Sequence, residues 1–274
     1  MSEAKKKIIA GFLLLPAAIW LLGFAPPAVL LAVVLLIGGL AGSFEFSRLV
    51  FRPEDHAEIV LTVGASVVLC VLAQTGEGDA LFLGLSAVFI TVTAAMLFTK
   101  DFNAAFPRAA TIITGAIYTG AFAGLVVAMR RMEPGLGGTK LVIAHFALTW
   151  ANDAGAFFVG SRYGKTKLWP AVSAGKTWEG AFGGAASSVL AGLVIAAASP
   201  VWLLRDGLIL GGLFAVATPI GDLIESAMKR SAGVKDSGFF LPGHGGALDR
   251  IDSILFTAPI MYFYALLVGP LRVG

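Results

Sequence analysis

The chain has 274 residues, of which 57 % are apolar and only 14 % are Asp, Glu, Lys or Arg. Soluble domains carry about 25 % charged residues, so this composition excludes an ordinary soluble globule. The net charge of +3 is too small to mark a nucleic-acid binder, and the single cysteine, Cys70, allows neither an internal disulfide nor a cysteine metal cluster.

Apolar runs of about 20 residues, the length that crosses a bilayer core, recur along the chain. They do not alternate with period two, which excludes barrel strands. The expectation is an all-α, polytopic integral membrane protein with about nine transmembrane helices. No long polar linker divides it, so residues 1–274 read as one domain. Spans are expected near 8–24, 27–47, 58–75, 79–98, 110–129, 140–160, 180–199, 205–227 and 252–270. Lys5-Lys6-Lys7 precedes the first run, which lacks a small-x-small exit and reads as an uncleaved helix. Pro26 and Pro27 punctuate the first turn, and Arg52-Pro53 opens a short polar loop. The segment 99–109, with Lys100, Asp101 and Arg108, reads as another loop.

With the N-terminus inside, 15 of the Lys and Arg residues fall on inner segments and 5 on outer ones. Basic residues favour the cytoplasmic side. The loops near 161–179 and 228–251 are therefore expected in the cytoplasm, on a multi-pass protein of the cell membrane. Arg130 and Arg131 run against this pattern.

The sixth span is unusually polar. His145, Thr149, Asn152 and Asp153 fall at helical offsets of 4, 7 and 8, on one face. Ionisable groups inside a bilayer are costly and face a partner or a cavity. His145 alone reads as a satisfied interior histidine; Asn152 and Asp153 together read as site residues. Two Gly-Lys-Thr pieces follow, at 164–166 and 175–177. A phosphate loop also needs glycine five residues before the Gly-Lys pair, where this chain has Val159 and Pro170, so a soluble P-loop enzyme is not supported. The seventh span opens with Gly180, Gly183, Gly184, Ser187 and Ser188, a pattern for close helix packing.

Residues 221–253 form the most polar long stretch. Asp222, Glu225, Lys229, Arg230, Lys235, Asp236, His244, Asp249, Arg250 and Asp252 lie among five glycines. Carboxylates hold a hard cation, lysine and arginine hold phosphate, and glycine lets backbone approach a ligand. The combination suits a metal-bound polyphosphate. Asp222, Glu225 and Ser226 share a face at one helix end; Asp249 and Asp252 share one at the next helix start. The loop between returns the chain, so Asp222 and Asp249 can face each other across one or two cations. Mg2+, which takes one or two carboxylates plus substrate phosphates, fits that pair.

These residues also carry a resemblance. Ser226-x-Met228-Lys229-Arg230, Lys235-Asp236-Ser237-Gly238, Leu241-Pro242-Gly243-His244-Gly245-Gly246 and Asp249-Arg250-Ile251-Asp252-Ser253 resemble the signature of the phosphatidate cytidylyltransferase (CDP-diacylglycerol synthase) family. Asp153 to Phe158 and Ser173 to Gly180 are similar to two further segments of it. Departures are Ala247, Phe157 and the Ala174-Gly175 pair, which leaves Lys176 as the cation of its segment. The resemblance covers roughly 140–260, the expected catalytic half; the first four spans carry no usable signature.

It implies that CTP and phosphatidate, the latter held in the bilayer, give CDP-diacylglycerol and pyrophosphate for phospholipid synthesis. Asp222, Asp249, Lys229 and Arg230 become candidate catalytic residues, with Mg2+ at Asp222 and Asp249. Lys176, Lys235, His244, Arg250, Asn152 and Asp153 become candidate substrate contacts. A homodimer is left open, and no nucleic-acid partner is expected. The alternatives are a CTP-dependent lipid kinase, a cytidylyltransferase for an isoprenoid ether lipid phosphate and, in a different class, a secondary transporter.

Overall fold

A computed structural model describes residues 20–98, 101–132, 136–199, 202–238 and 245–268. In these residues eight helices are long and apolar enough to cross a membrane. They are α1 (Pro27–Val50), α2 (His56–Ala73), α3 (Gly78–Ala95, ending in a 3-10 turn to Phe98), α4 (Phe102–Arg131), α5 (Leu136–Tyr163), α6 (Trp178–Ala197), α7 (Leu204–Ser231) and α8 (Leu248–Val268). They match the second to ninth expected spans. The first, 8–24, lies mostly outside the described residues.

One boundary differs. The expected loop at 99–109 is largely helix. Asp101 caps α4 by accepting from the Ala104 N–H at 3.2 Å, and α4 then runs unbroken to Arg131. The charge that suggested a loop is neutralised in place: Arg108 donates to Asp55 at 3.0 Å and pairs with Glu58.

α4 is the centre of the bundle, with 78 % of its apolar window buried, against 17 % for α3. One apolar core joins α4, α5, α7 and α8 through Val127, Met129, Leu148, Phe214 and Met261; a second joins α2, α3 and α4. α1 and α4 each contain a wider π-helical segment, Leu35–Gly42 and Ala116–Ala121. These meet at Gly38, where an added Cβ would come 3.2 Å from the Thr119 carbonyl.

The small-residue face of α6 packs as expected between α5 and α7. A Cβ on Gly184 would approach the Asn152 carbonyl to 2.9 Å, and one on Gly211 would approach the Val189 Cα to 2.6 Å. Such close backbones are the usual solution where lipid supplies no hydrophobic drive between helices.

The expected loop near 161–179 contains structure of its own. β1 (Lys167–Trp169) pairs antiparallel with β2 (Ser173–Thr177), the only sheet among the described residues. Thr177 then caps α6 by accepting from the Gly180 N–H at 3.2 Å. Glu179 accepts from the Lys165 and Thr166 N–H groups at 3.1 and 3.2 Å. The first Gly-Lys-Thr piece thus gives backbone donors to a carboxylate of its own chain.

Candidate active site

Both polar loops lie at one end of the bundle, where the end of α5, the start of α6, the end of α7 and the start of α8 converge. Two cavities open there. One of 480 Å3 is bounded by the hairpin and by α5, α6 and α7. Asn152, Asp153, Phe157, Ser161, Ser173, Lys176, Thr177 and Asp222 are among its walls. The other, of 350 Å3, is lined by Trp150, Asp153, Asp222, Glu225, Lys229, Asp249, Arg250, Asp252 and Ser253. Asp153 and Asp222 belong to both, so the two cavities meet there.

The second cavity sets five carboxylates against Lys229 and Arg250. Lys229 is its centre. Its ammonium lies 2.6 Å from Asp249 Oδ1 and also pairs with Glu225, one α-helical turn earlier. Asp249 is held from the other side: its Oδ2 accepts from the Ser237 N–H at 3.0 Å and from the Gly246 N–H at 2.8 Å. The start of α8 is thus tied to the end of α7 and to both flanks of the intervening loop. Asp222 is more open. Its Oδ2 meets Lys176 Nζ at 2.8 Å and its Oδ1 accepts from the Ser226 hydroxyl at 3.3 Å. Lys176 also donates to the Pro219 carbonyl of α7 at 3.3 Å.

Other expected residues occupy distinct places. Asn152 is buried and donates to Ser188 on α6 at 3.1 Å, so it joins helices while lining the larger cavity. Arg230 turns away from the carboxylates: its Nε donates to the Val172 carbonyl at 3.2 Å and its guanidinium NH1 to the Val234 carbonyl at 3.0 Å. It links the hairpin turn to the α7–α8 loop. Lys235 is exposed, and His244 lies outside the described residues. His145 is buried in the core, 2.9 Å from Thr257.

No group of three or more His, Cys, Asp or Glu side chains among the described residues is arranged as a ready metal site. The donor chemistry nevertheless fits a hard cation brought in with substrate. The smaller cavity is lined by five carboxyl groups and two basic side chains, and Glu225 Oε1 is buried without a hydrogen-bond partner among the described residues. Two carboxylates and phosphate oxygens complete a Mg2+ shell.

The Cytidylyltransferase family model matches residues 5–268, nearly the whole chain. The chain belongs to the cytidylyltransferase family. Similar proteins include the phosphatidate cytidylyltransferase of Brucella suis, 32 % identical over 269 residues, covering 96 % of this chain and 94 % of that protein. The phosphatidate cytidylyltransferase of Bacillus subtilis is 37 % identical over 182 residues, 66 % of each chain. That of Synechocystis is 45 % identical over 135 residues, covering 48 % of this chain and 45 % of its own.

Three residues of this family member escaped the sequence reading. Glu179 fixes the connector between α5 and β1. Tyr118, in the π segment of α4, donates to the Asp252 carbonyl at 3.3 Å. Glu45, in α1, reaches the start of α8. Glu45 did leave a signal, a carboxylate within an apolar span. It lacked a neighbouring motif to say what it holds.

Proposed function

We propose that this protein is a phosphatidate cytidylyltransferase, working at the cytoplasmic face of the cell membrane. The observation that carries this reading is the meeting of the two cavities at Asp153 and Asp222. The larger lies within the range of about 300–1,000 Å3 typical of small-molecule sites and suits a nucleotide. The smaller carries mixed charge for phosphates. Its place at one end of the helices lets a soluble nucleotide meet a lipid phosphate, whereas a transporter site belongs near the midplane.

A phosphate oxygen of phosphatidate attacks the α-phosphorus of CTP. The bond from that phosphorus to the β-bridging oxygen breaks, and pyrophosphate leaves. A phosphate monoester has a second pKa of about 6, so the attacking oxygen is already anionic near neutrality and needs no strong base. The protein's work is alignment and charge neutralisation. Lys176 and Lys229 sit where they can exchange carboxylate contacts for phosphate oxygens, and Arg250 lines the smaller cavity beside Lys229. Lys235 lies at the loop surface as a first contact for anionic substrate. Arg230 holds the hairpin and the loop in register. Mg2+ held by Asp222 and Asp249 would add charge neutralisation at the phosphates. For Asp249 to take part, Lys229 must shift toward the substrate. Asn152 and Asp153 shape the nucleotide side.

The test is purified protein in detergent with phosphatidate, Mg2+ and CTP labelled at the α or the γ phosphate. The expected lipid product keeps the α label and lacks the γ label. Transfer of the γ label alone would make the protein a CTP-dependent lipid kinase instead. A panel that includes isoprenoid ether lipid phosphates identifies the lipid class.

A further inference from the structure

Glu45 lies in α1, far in sequence from the polar cluster, and is buried. Among the described residues its partners are neutral donors. Oε2 accepts from the Ser237 hydroxyl at 2.8 Å and from the Leu248 N–H at 2.9 Å, and Oε1 accepts from the Ala247 N–H at 3.0 Å. The Ala247 and Leu248 groups belong to the start of α8, whose first N–H groups have no partner within the helix. Negative charge is also favoured at that end.

Ser237 joins this carboxylate to the catalytic one. Its hydroxyl goes to Glu45 and its backbone N–H to Asp249. Gly246 donates to Asp249, while the next two N–H groups go to Glu45. The two carboxylates therefore grip the same two flanks of the loop. Gly246 must be glycine for this approach: a Cβ there would collide with the Glu45 carboxylate and the Ser237 hydroxyl.

We infer that Glu45 is a positioning residue for the transfer reaction, fixing Ser237 and the first turn of α8 so that Asp249 holds Lys229 in place. This rests on the proposed function. It assigns a site role to the N-terminal half of the chain, where no motif pointed to one. Glu45 touches no reacting atom, so its effect passes through Asp249 and Lys229.

The experiment compares wild type, Glu45→Gln, Asp249→Asn and the double variant. Each is taken as the monodisperse fraction in detergent and assayed with labelled CTP and phosphatidate. Glu45→Gln keeps the volume but puts an amide donor against N–H and O–H donors. A small misplacement of a reacting constellation costs on the order of ten- to a hundredfold in turnover. The expected result is a fall of about tenfold or more in kcat, with KM for CTP within about twofold. In the double variant, Glu45→Gln should add little to Asp249→Asn, because both act on one unit. Merely structural damage would multiply the two losses, and that outcome overturns the assignment. So does wild-type kcat in Glu45→Gln. Should Glu45→Gln fail to fold, Ser237→Ala carries the test. It removes one donor, leaves both carboxylates, and is expected to lower kcat about threefold by the same misplacement; an unchanged kcat overturns the inference. A wild type that makes no cytidylylated lipid overturns the functional reading itself, which separates the two failures.

Discussion

Asp249→Asn and Asp222→Asn look equivalent in sequence, each removing one charge from the expected metal pair. From the sequence alone, neither is expected to disturb folding. The structure separates them. The Asp249 side chain is 11 % exposed and receives Lys229 and two backbone N–H groups, while that of Asp222 is 39 % exposed and faces Lys176. Asparagine at 249 keeps one oxygen, so its amide group must face either the ammonium or the backbone donors. Hydrogen bonds to charged groups are worth about 1.5–3 kcal/mol, and breaking a buried ion pair costs about 3–5 kcal/mol. Lys229 retains Glu225, which puts the loss near the lower end, about 3 kcal/mol. An exposed pair such as Asp222–Lys176 contributes about 0–1 kcal/mol. At about 2–4 °C per kcal/mol for a chain of this size, Asp249→Asn should lower the unfolding midpoint by about 6–12 °C, and Asp222→Asn by no more than about 4 °C. The assay is thermal unfolding in detergent with chelator present, so that no divalent cation contributes. Both variants should lose most turnover when Mg2+ is restored. Equal midpoints, or a larger drop for Asp222→Asn, would refute the view that Asp249 anchors α8 as well as serving the site.

Arg230→Ala should lower turnover by about tenfold through loss of hairpin and loop alignment, and Arg230→Lys should restore little, because one ammonium cannot span two carbonyls; full activity in Arg230→Lys would reject the clamp. Cysteines introduced at Ala174 and Lys235, both exposed, in a Cys70→Ser background should react with an impermeant reagent only after the cell is opened; labelling of either in intact cells would reverse the orientation. Asp55, between α1 and α2, is held below the usual carboxylate range chiefly by the Arg52 N–H; burial opposes this, and Arg108 adds to the lowering. Its folded value is lowered, so its contribution to stability is present above about pH 4 and lost as pH falls through the lowered value. Asp55→Asn should be less stable than wild type above about pH 4 and converge with it in stronger acid, read as unfolding midpoints across pH; parallel curves would contradict this.

Span positions were legible because apolar run length and bilayer thickness are locked together. The start of α4 was not, since Lys100, Asp101 and Arg108 give a loop's charge to a capped helix. Asp153, Asp222, Lys176 and the 225–252 cluster were legible as a neighbourhood, because helical spacing and a returning loop bring such residues together. Their pairing was not. Spacing places Asp222 and Asp249 at facing helix ends, but only the fold shows that each has a lysine of its own. The β1–β2 hairpin was hidden because Lys167–Trp169 and Ser173–Thr177 are too short for an alternating pattern. Glu45 was hidden because its partners are backbone N–H groups 202 and 203 residues away, which no local pattern encodes.

α5 and α7 each have 28 residues. At 1.5 Å per residue each is about 42 Å long, against a hydrocarbon core of about 30 Å. On the proposed function, with that surplus of about 12 Å at the site's end, Lys229 stands at headgroup height, and Asp222 and Asp153, about 14 and 15 Å from the ends of α7 and α5, stand just inside the hydrocarbon boundary. On the proposed function, a lipid reactant arrives by lateral diffusion and never leaves its leaflet. The relevant concentration is then the lipid's share of the surface. In mixed micelles, diluting phosphatidate with inert detergent should slow the enzyme even when the total phosphatidate in the tube is unchanged.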